Sequence, residues 1–132
     1  MTYVADTHAL VLFASGDLAS ASRRALRVFR RAAVGRDRVH VPSICFFEVG
    51  MLLDRGRVRS ARPFDEWHDL VAAQPGLVVE PLGWDDVREA RGLAGLVDPF
   101  DRLIAGTAVR LEATLLTGDA RIRRSGLVPT LW

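Results

Sequence analysis

Short apolar runs recur along this chain with helix-period segments between them, and that alternation leaves few folds open. Tyr3-Val4-Ala5, Arg38-Val39-His40-Val41, Leu77-Val78-Val79 and Thr114-Leu115-Leu116-Thr117 have the length and composition of strands, and a last short strand is expected near Val128. Between them the spacing predicts a helical stretch over His8 to Phe13 that stops near Gly16, and an amphipathic helix from about Ser20 to Val34. Further helices are predicted over Ile44 to Leu53 with Ser43 as N-cap, Pro63 to Ala73, Trp84 to Leu93, and from Asp98-Pro99 to about Glu112. Strands separated by helices call for an α/β sandwich with a mainly parallel sheet, because parallel neighbours need a crossover segment between them. In such sheets ligands bind beyond the carboxyl ends of the strands, near the point where strand order reverses.

Five acids stand out against this pattern. Asp6, Glu48, Asp98, Asp101 and Asp119 fall where strands end or inside apolar helical stretches. A carboxylate among hydrophobes is costly unless it is paired, protonated or bound to a cation, since even a neutral polar group left unpaired costs about 2–7 kcal/mol. Each acid also has a structural role open to it. Asp6 follows a short apolar strand directly and can cap the next helix, as can Thr7. Glu48 is the only charged residue between Ile44 and Leu53, so it either reaches a buried arginine or points into a polar crevice; Gly50 would permit close packing beside that crevice. Asp98, with Pro99 behind it, makes a natural N-cap, and Asp101 falls at the capping-box position three residues on. The small, apolar residues after Asp101 favour it as a ligand, with Asp98 as cap or support. Asp119 follows Thr117-Gly118 and can cap a short helix over Ala120 to Arg124. Thr7 and Thr117 bring hydroxyls to the same strand ends, suited to orienting a carboxylate, a water or a phosphate oxygen.

Other chemistries lack their residues. His8, His40 and His68 are too widely spaced for a zinc site, no serine stands in a nucleophile elbow, and no glycine loop is built for phosphate. An acid-rich, oxygen-only set suits a hard cation, Mg²⁺ or Mn²⁺. A phosphotransfer protein, either a receiver domain or a haloacid-dehalogenase-type phosphatase, also uses an Asp after its first strand. Both rely on a lysine, and all 18 cations here are arginine. A genome that prefers Arg codons accounts for that bias, while guanidinium groups also suit bidentate contact with phosphate. The net charge is +2, but with the five acids neutralised by metal the 18 arginines face 11 acids, a surplus of +7 that attracts polyanions. The length of 132 residues fits one domain spanning 1–132, with no membrane-length apolar run. The start of the chain lacks signal-peptide features and Cys45 has no partner cysteine, so a cytoplasmic protein with a buried structural thiol is expected.

Four segments together resemble the PIN-domain proteins, specifically the VapC-like toxins of type II toxin–antitoxin pairs: ADTHALVLF at 5–13, SICFFEVGMLLDRGRV at 43–58, DPFDRLIAGTA at 98–108 and LLTGDARI at 115–122. The resemblance implies a three-layer α/β/α sandwich in which Asp6, Glu48, Asp101 and Asp119 match the family's acidic quartet. It implies a Mg²⁺- or Mn²⁺-dependent endoribonuclease, usually a homodimer, silenced by a small antitoxin that covers the site. Asp6 and Asp101 would then hold the principal metal, with Glu48 and Asp119 ligating through water or at a second ion. A metal-activated water would hydrolyse the RNA phosphodiester, and rim arginines, Arg23, Arg27, Arg55, Arg57 and Arg102, would hold the RNA. Members with the DPFDR motif often carry a histidine shortly before it, where this chain has Gly95-Leu96-Val97. The alternative is a PIN-like module without catalysis that binds RNA or a protein.

Overall fold

A computed structural model describes residues 1–132, apart from the side chain of Leu18. Five strands form one parallel sheet: β1 (Thr2–Ala5), β2 (Arg38–Pro42), β3 (Leu77–Glu80), β4 (Thr114–Leu116) and β5 (Thr130–Leu131), in the order β3-β2-β1-β4-β5. The helices are α1 (Thr7–Ser15), α2 (Arg23–Ala33), α3 (Ser43–Asp54), α4 (Phe64–Ala72), α5 (Trp84–Arg91), α6 (Pro99–Arg110) and α7 (Ala120–Ser125). They cover the sheet as the outer layers of an α/β/α sandwich. The central strands β1 and β4 read as almost uninterrupted apolar runs because a parallel sheet is covered on both faces. Val4, Ala5, Val39, Val41, Leu115 and Leu116 are accordingly all buried.

Strand order places the switch point beside β1. The chain builds outward through β2 and β3 on one side, then returns to add β4 and β5 on the other. The Asp6 amide donates to the Leu116 carbonyl at 3.1 Å, so the ends of β1 and β4 leave the sheet side by side.

Several local expectations are corrected. α2 begins at Arg23 with Ser22 as its cap, because residues 18–20 form a separate 3₁₀ turn. Ser43 is the first helical residue of α3, behind Pro42 at the N-cap; its hydroxyl donates to the Glu80 carbonyl at 3.0 Å and ties α3 to β3. The last strand starts at Thr130, and Val128 is instead a buried core residue just before it. Gly50 lies against the Phe64 ring, where an added Cβ would sit at an ordinary 3.4 Å, and it does not open toward the acids. Gly106 is a glycine that close packing between helices requires: an added Cβ would lie 2.7 Å from the Asp86 carbonyl oxygen, so α6 meets α5 backbone to backbone there.

A second anchor joins the same two helices to the sheet. Arg110 on α6 donates to Asp86 of α5 at 2.7 Å and to Glu80 of β3 at 2.6 Å. Glu80 also meets His40 Nδ1 at 2.8 Å, and the Asp86 carboxylate accepts the Gly83 amide at the start of α5. Burial pushes the Glu80 carboxyl up, but Arg110 and His40 outweigh it and hold it below the usual range. Among the described residues no helix is long and apolar enough to cross a membrane.

Candidate active site: an acidic crevice at the sheet switch point

One crevice of about 350 Å³ opens at the carboxyl edge of the sheet, lined by Asp6, Thr7, His8, Glu48, Asp98, Asp101, Gly118, Asp119 and Arg121. All five acids singled out in the sequence reach it, from four separate parts of the chain. Asp6 arrives at the end of β1, Glu48 along α3 as it leaves β2, Asp98 and Asp101 at the start of α6, and Asp119 just after β4.

The capping roles are real and leave oxygens over. Asp6 accepts the Ala9 amide at 2.8 Å and Asp119 accepts the Arg121 and Ile122 amides at 2.7 and 3.2 Å. Each uses a single carboxylate oxygen for those amides. Asp98 caps α6 by accepting the Asp101 amide at 3.0 Å; the return bond of a capping box is absent among the described residues, and the Asp101 carboxylate is free of the helix end. Thr7 does not cap. Its hydroxyl donates to Glu48 at 2.5 Å and aims that carboxylate into the crevice, while the Thr117 hydroxyl oxygen accepts the Asp119 amide at 3.1 Å and sets the turn. Cys45 is fully buried below, donating toward the Ala5 carbonyl, and burial pushes its thiol well above the ordinary value.

Crowding of like charge shows in the proton affinities. Burial pushes Asp101 up to about 7, with Asp98, Asp119, Glu48 and Asp6 adding to the rise. Burial also raises Asp6, against hydrogen bonds from Thr117 and Ala9 that favour its ionised form. Asp119 goes the other way: burial raises it, but the Ile122 and Arg121 amides and the Arg121 guanidinium prevail. In the absence of a cation, the crevice therefore keeps part of its charge protonated near neutral pH.

Among the described residues, no three His, Cys, Asp or Glu side chains are drawn close enough to form a ready-made metal cage. The donor set nevertheless fits a hard divalent ion. It is all oxygen, it is electrostatically frustrated without a counter-charge, and Mg²⁺ characteristically keeps several waters while taking only one or two carboxylates directly. An open spacing bridged by water suits that habit better than a closed cage would.

The arginines expected around the rim lie elsewhere. None of Arg23, Arg27, Arg55, Arg57 and Arg102 lines the crevice. Arg102 donates to the carbonyls of Ala90 and Arg91 at 3.1 to 3.2 Å, closing the end of α5, so its guanidinium is occupied within the fold. Arg23 and Arg27 lie on the exposed face of α2, and Arg55 and Arg57 are exposed just beyond α3. The cation at the rim is Arg121, 3.4 Å from Asp119, joined by His8, whose ring lies 5.9 Å from that of Trp132. Both follow a site aspartate by two residues on the first turn of a helix, and that spacing is the signal by which they could have been found.

The architecture has known counterparts. The chain superposes over its full length on a VapBC2 structure from Rickettsia felis bound to a promoter DNA fragment, with a TM-score of 0.71, 16% identity and 99% of that chain covered. It matches a DNA-bound VapBC structure from Salmonella typhimurium with a TM-score of 0.64 at 16% identity, covering 99% of this chain and 97% of that one. A toxin–antitoxin complex from Klebsiella pneumoniae gives 0.63 at 16%, covering 98% and 96%. At such identities the likeness speaks for the fold. Comparison with curated protein sequences gives no match. The sequence profile of the PIN domain, however, matches residues 3–126, and with acids from four elements gathered at the switch point of a five-stranded parallel sheet, the chain belongs to the PIN-domain family.

Proposed function

We propose that this protein is a Mg²⁺- or Mn²⁺-dependent endoribonuclease, the toxin of a toxin–antitoxin pair, whose cognate antitoxin silences it by covering the crevice. The observation that carries this reading is the single mouth shared by Asp6, Glu48, Asp98, Asp101 and Asp119, with Asp101 pushed up to about 7 by its surroundings. The Klebsiella pneumoniae counterpart is a toxin–antitoxin complex, which supports a protein partner for this chain as well.

Asp6 and Asp101 would hold the principal ion, with Glu48 and Asp119 acting through water or at a second ion. The bound cation supplies charge for the phosphodiester and a more acidic water. Thr7 keeps Glu48 in one orientation, and Thr117 with Asp98 keeps the two turns that present Asp119 and Asp101. Arg121 and His8 line the same crevice as the acids and would meet an incoming substrate phosphate.

Purified protein incubated with structured RNA and Mn²⁺ should cut it, should stop in EDTA, and should lose at least two orders of magnitude in rate as the Asp6→Asn/Asp101→Asn variant while keeping its circular dichroism. Cleavage by that variant at the parental rate would overturn the site assignment. RNA binding without any gain of cleavage on adding Mn²⁺ would favour the non-catalytic module.

A further inference from the structure

The densest charge in the molecule lies away from the crevice. Residues 18–36 contain Arg23, Arg24, Arg27, Arg30, Arg31 and Arg36 and no acid, and all six arginines are exposed. Arg31 is held by Asp37 at 2.8 Å. The other five have no carboxylate partner among the described residues, whereas Arg62, Arg88, Arg110 and Arg121 are all paired.

Helix stability does not explain the arrangement. Arg30 and Arg31 complement the negative end of α2, but Arg23 and Arg24 stand in its first turn, where positive charge is unfavourable. Arg23 and Arg27, and Arg27 and Arg31, are like charges one turn apart, which repel. Codon preference can choose arginine over lysine; it does not group arginines on one helix or exclude acids from 19 consecutive residues. A polyanion laid along this face would offset the repulsion.

The geometry suits a strand of nucleic acid. A surface groove of about 570 Å³ runs between Arg23, Arg27, Arg30, Arg31 and Arg36, with Leu26 and Val34. It shares no residue with the acidic crevice. Asp37, which accepts from Arg31 and the terminal ammonium of Met1, fixes this end of α2 at the amino edge of the sheet, about 16 Å below the carboxyl edge for a five-residue strand. Along the helix the guanidinium-bearing positions advance by about 5–6 Å per turn, over a length of about 12 Å from Arg23 to Arg31. A polyanionic strand can lay successive phosphates along such a row, and with no aromatic side chain lining the groove the contact is to the backbone rather than to stacked bases.

We propose that the exposed face of α2 is a second RNA-binding site, gripping the phosphodiester backbone of a single-stranded RNA whose cleaved bond lies in the acidic crevice. This rests on the nuclease reading for its substrate, but its test does not need turnover. Arg27→Gln/Arg30→Gln is placed in an Asp101→Asn background and titrated in EDTA with labelled single-stranded RNAs of about 4 and about 16 nucleotides over a range of salt. At about 0.7 per phosphate contact, the slope of log K against log salt for the long RNA should become shallower by about 1.4. The affinity advantage of long over short RNA should shrink by roughly tenfold. Glutamine is a good helix former, so an unchanged melting temperature certifies the fold. An unchanged slope for the long RNA overturns the proposal. So does polyglutamate of matched charge competing as well as RNA, which would mark the face as a site for an acidic protein. Absence of cleavage by the parent in Mn²⁺, with the slope change present, would instead count against the nuclease reading alone.

Discussion

Asp101 shows how one side chain reports on the whole crevice. Its unfolded-state value is near 3.8 and its folded value about 7, so between those limits the folded protein holds a proton that the unfolded chain has lost. The stabilisation from this group is complete below about 3.8 and fades as pH rises toward 7. Asp101→Asn removes that loss. In EDTA, the melting temperature of the variant relative to the parent should climb from pH 4 to about pH 7 and level off above it, and a flat difference throughout would show Asp101 to be an ordinary surface carboxylate. Asp37, Glu80 and Asp119, held low by their partners, lose stabilisation as pH falls through their folded values, in variant and parent alike. The five acids were legible because each breaks an apolar pattern. The arginines were not: an exposed guanidinium on a polar helix face breaks nothing, and Arg102 finds the Ala90 and Arg91 carbonyls only once α5 and α6 are packed.

At the scale of elements, the seating of α5, α6 and β3 depends on Arg110. Asp86, whose side chain is 1% exposed, and Glu80 at 15% both lean on that one guanidinium. Arg110→Ala should lower stability by about 3–5 kcal/mol, because removing one partner leaves buried charge uncompensated. Urea unfolding should register this as a lower midpoint at constant slope, and the triple change Arg110→Met/Glu80→Gln/Asp86→Asn should recover much of it. The element order was readable from strand length and helix period, since five apolar runs with helices between them admit few sheets. Element ends were less so. Ser43 looks like an N-cap until its hydroxyl turns to the Glu80 carbonyl across the sheet, a partner 37 residues away that no local pattern announces.

Over the whole molecule, cation binding and folding should be linked. A ligand at about 100 times its dissociation constant stabilises by about 2.7 kcal/mol, which for a domain of this size raises the melting temperature on the order of 10 °C. Mn²⁺ or Mg²⁺ should produce such a rise in the parent, and Asp6→Asn/Asp101→Asn should abolish it; equal shifts in both proteins would place the ion elsewhere. The strand order has a further consequence for biosynthesis. During translation Asp6 and Glu48 emerge early, but β1 lacks its neighbour on one flank until β4 is made, and Asp119 follows only after that. Domains fold as units once enough chain has left the ribosome, so the acidic crevice is assembled only after β4 and Asp119 have joined β1, and its early-made carboxylates stay apart until then.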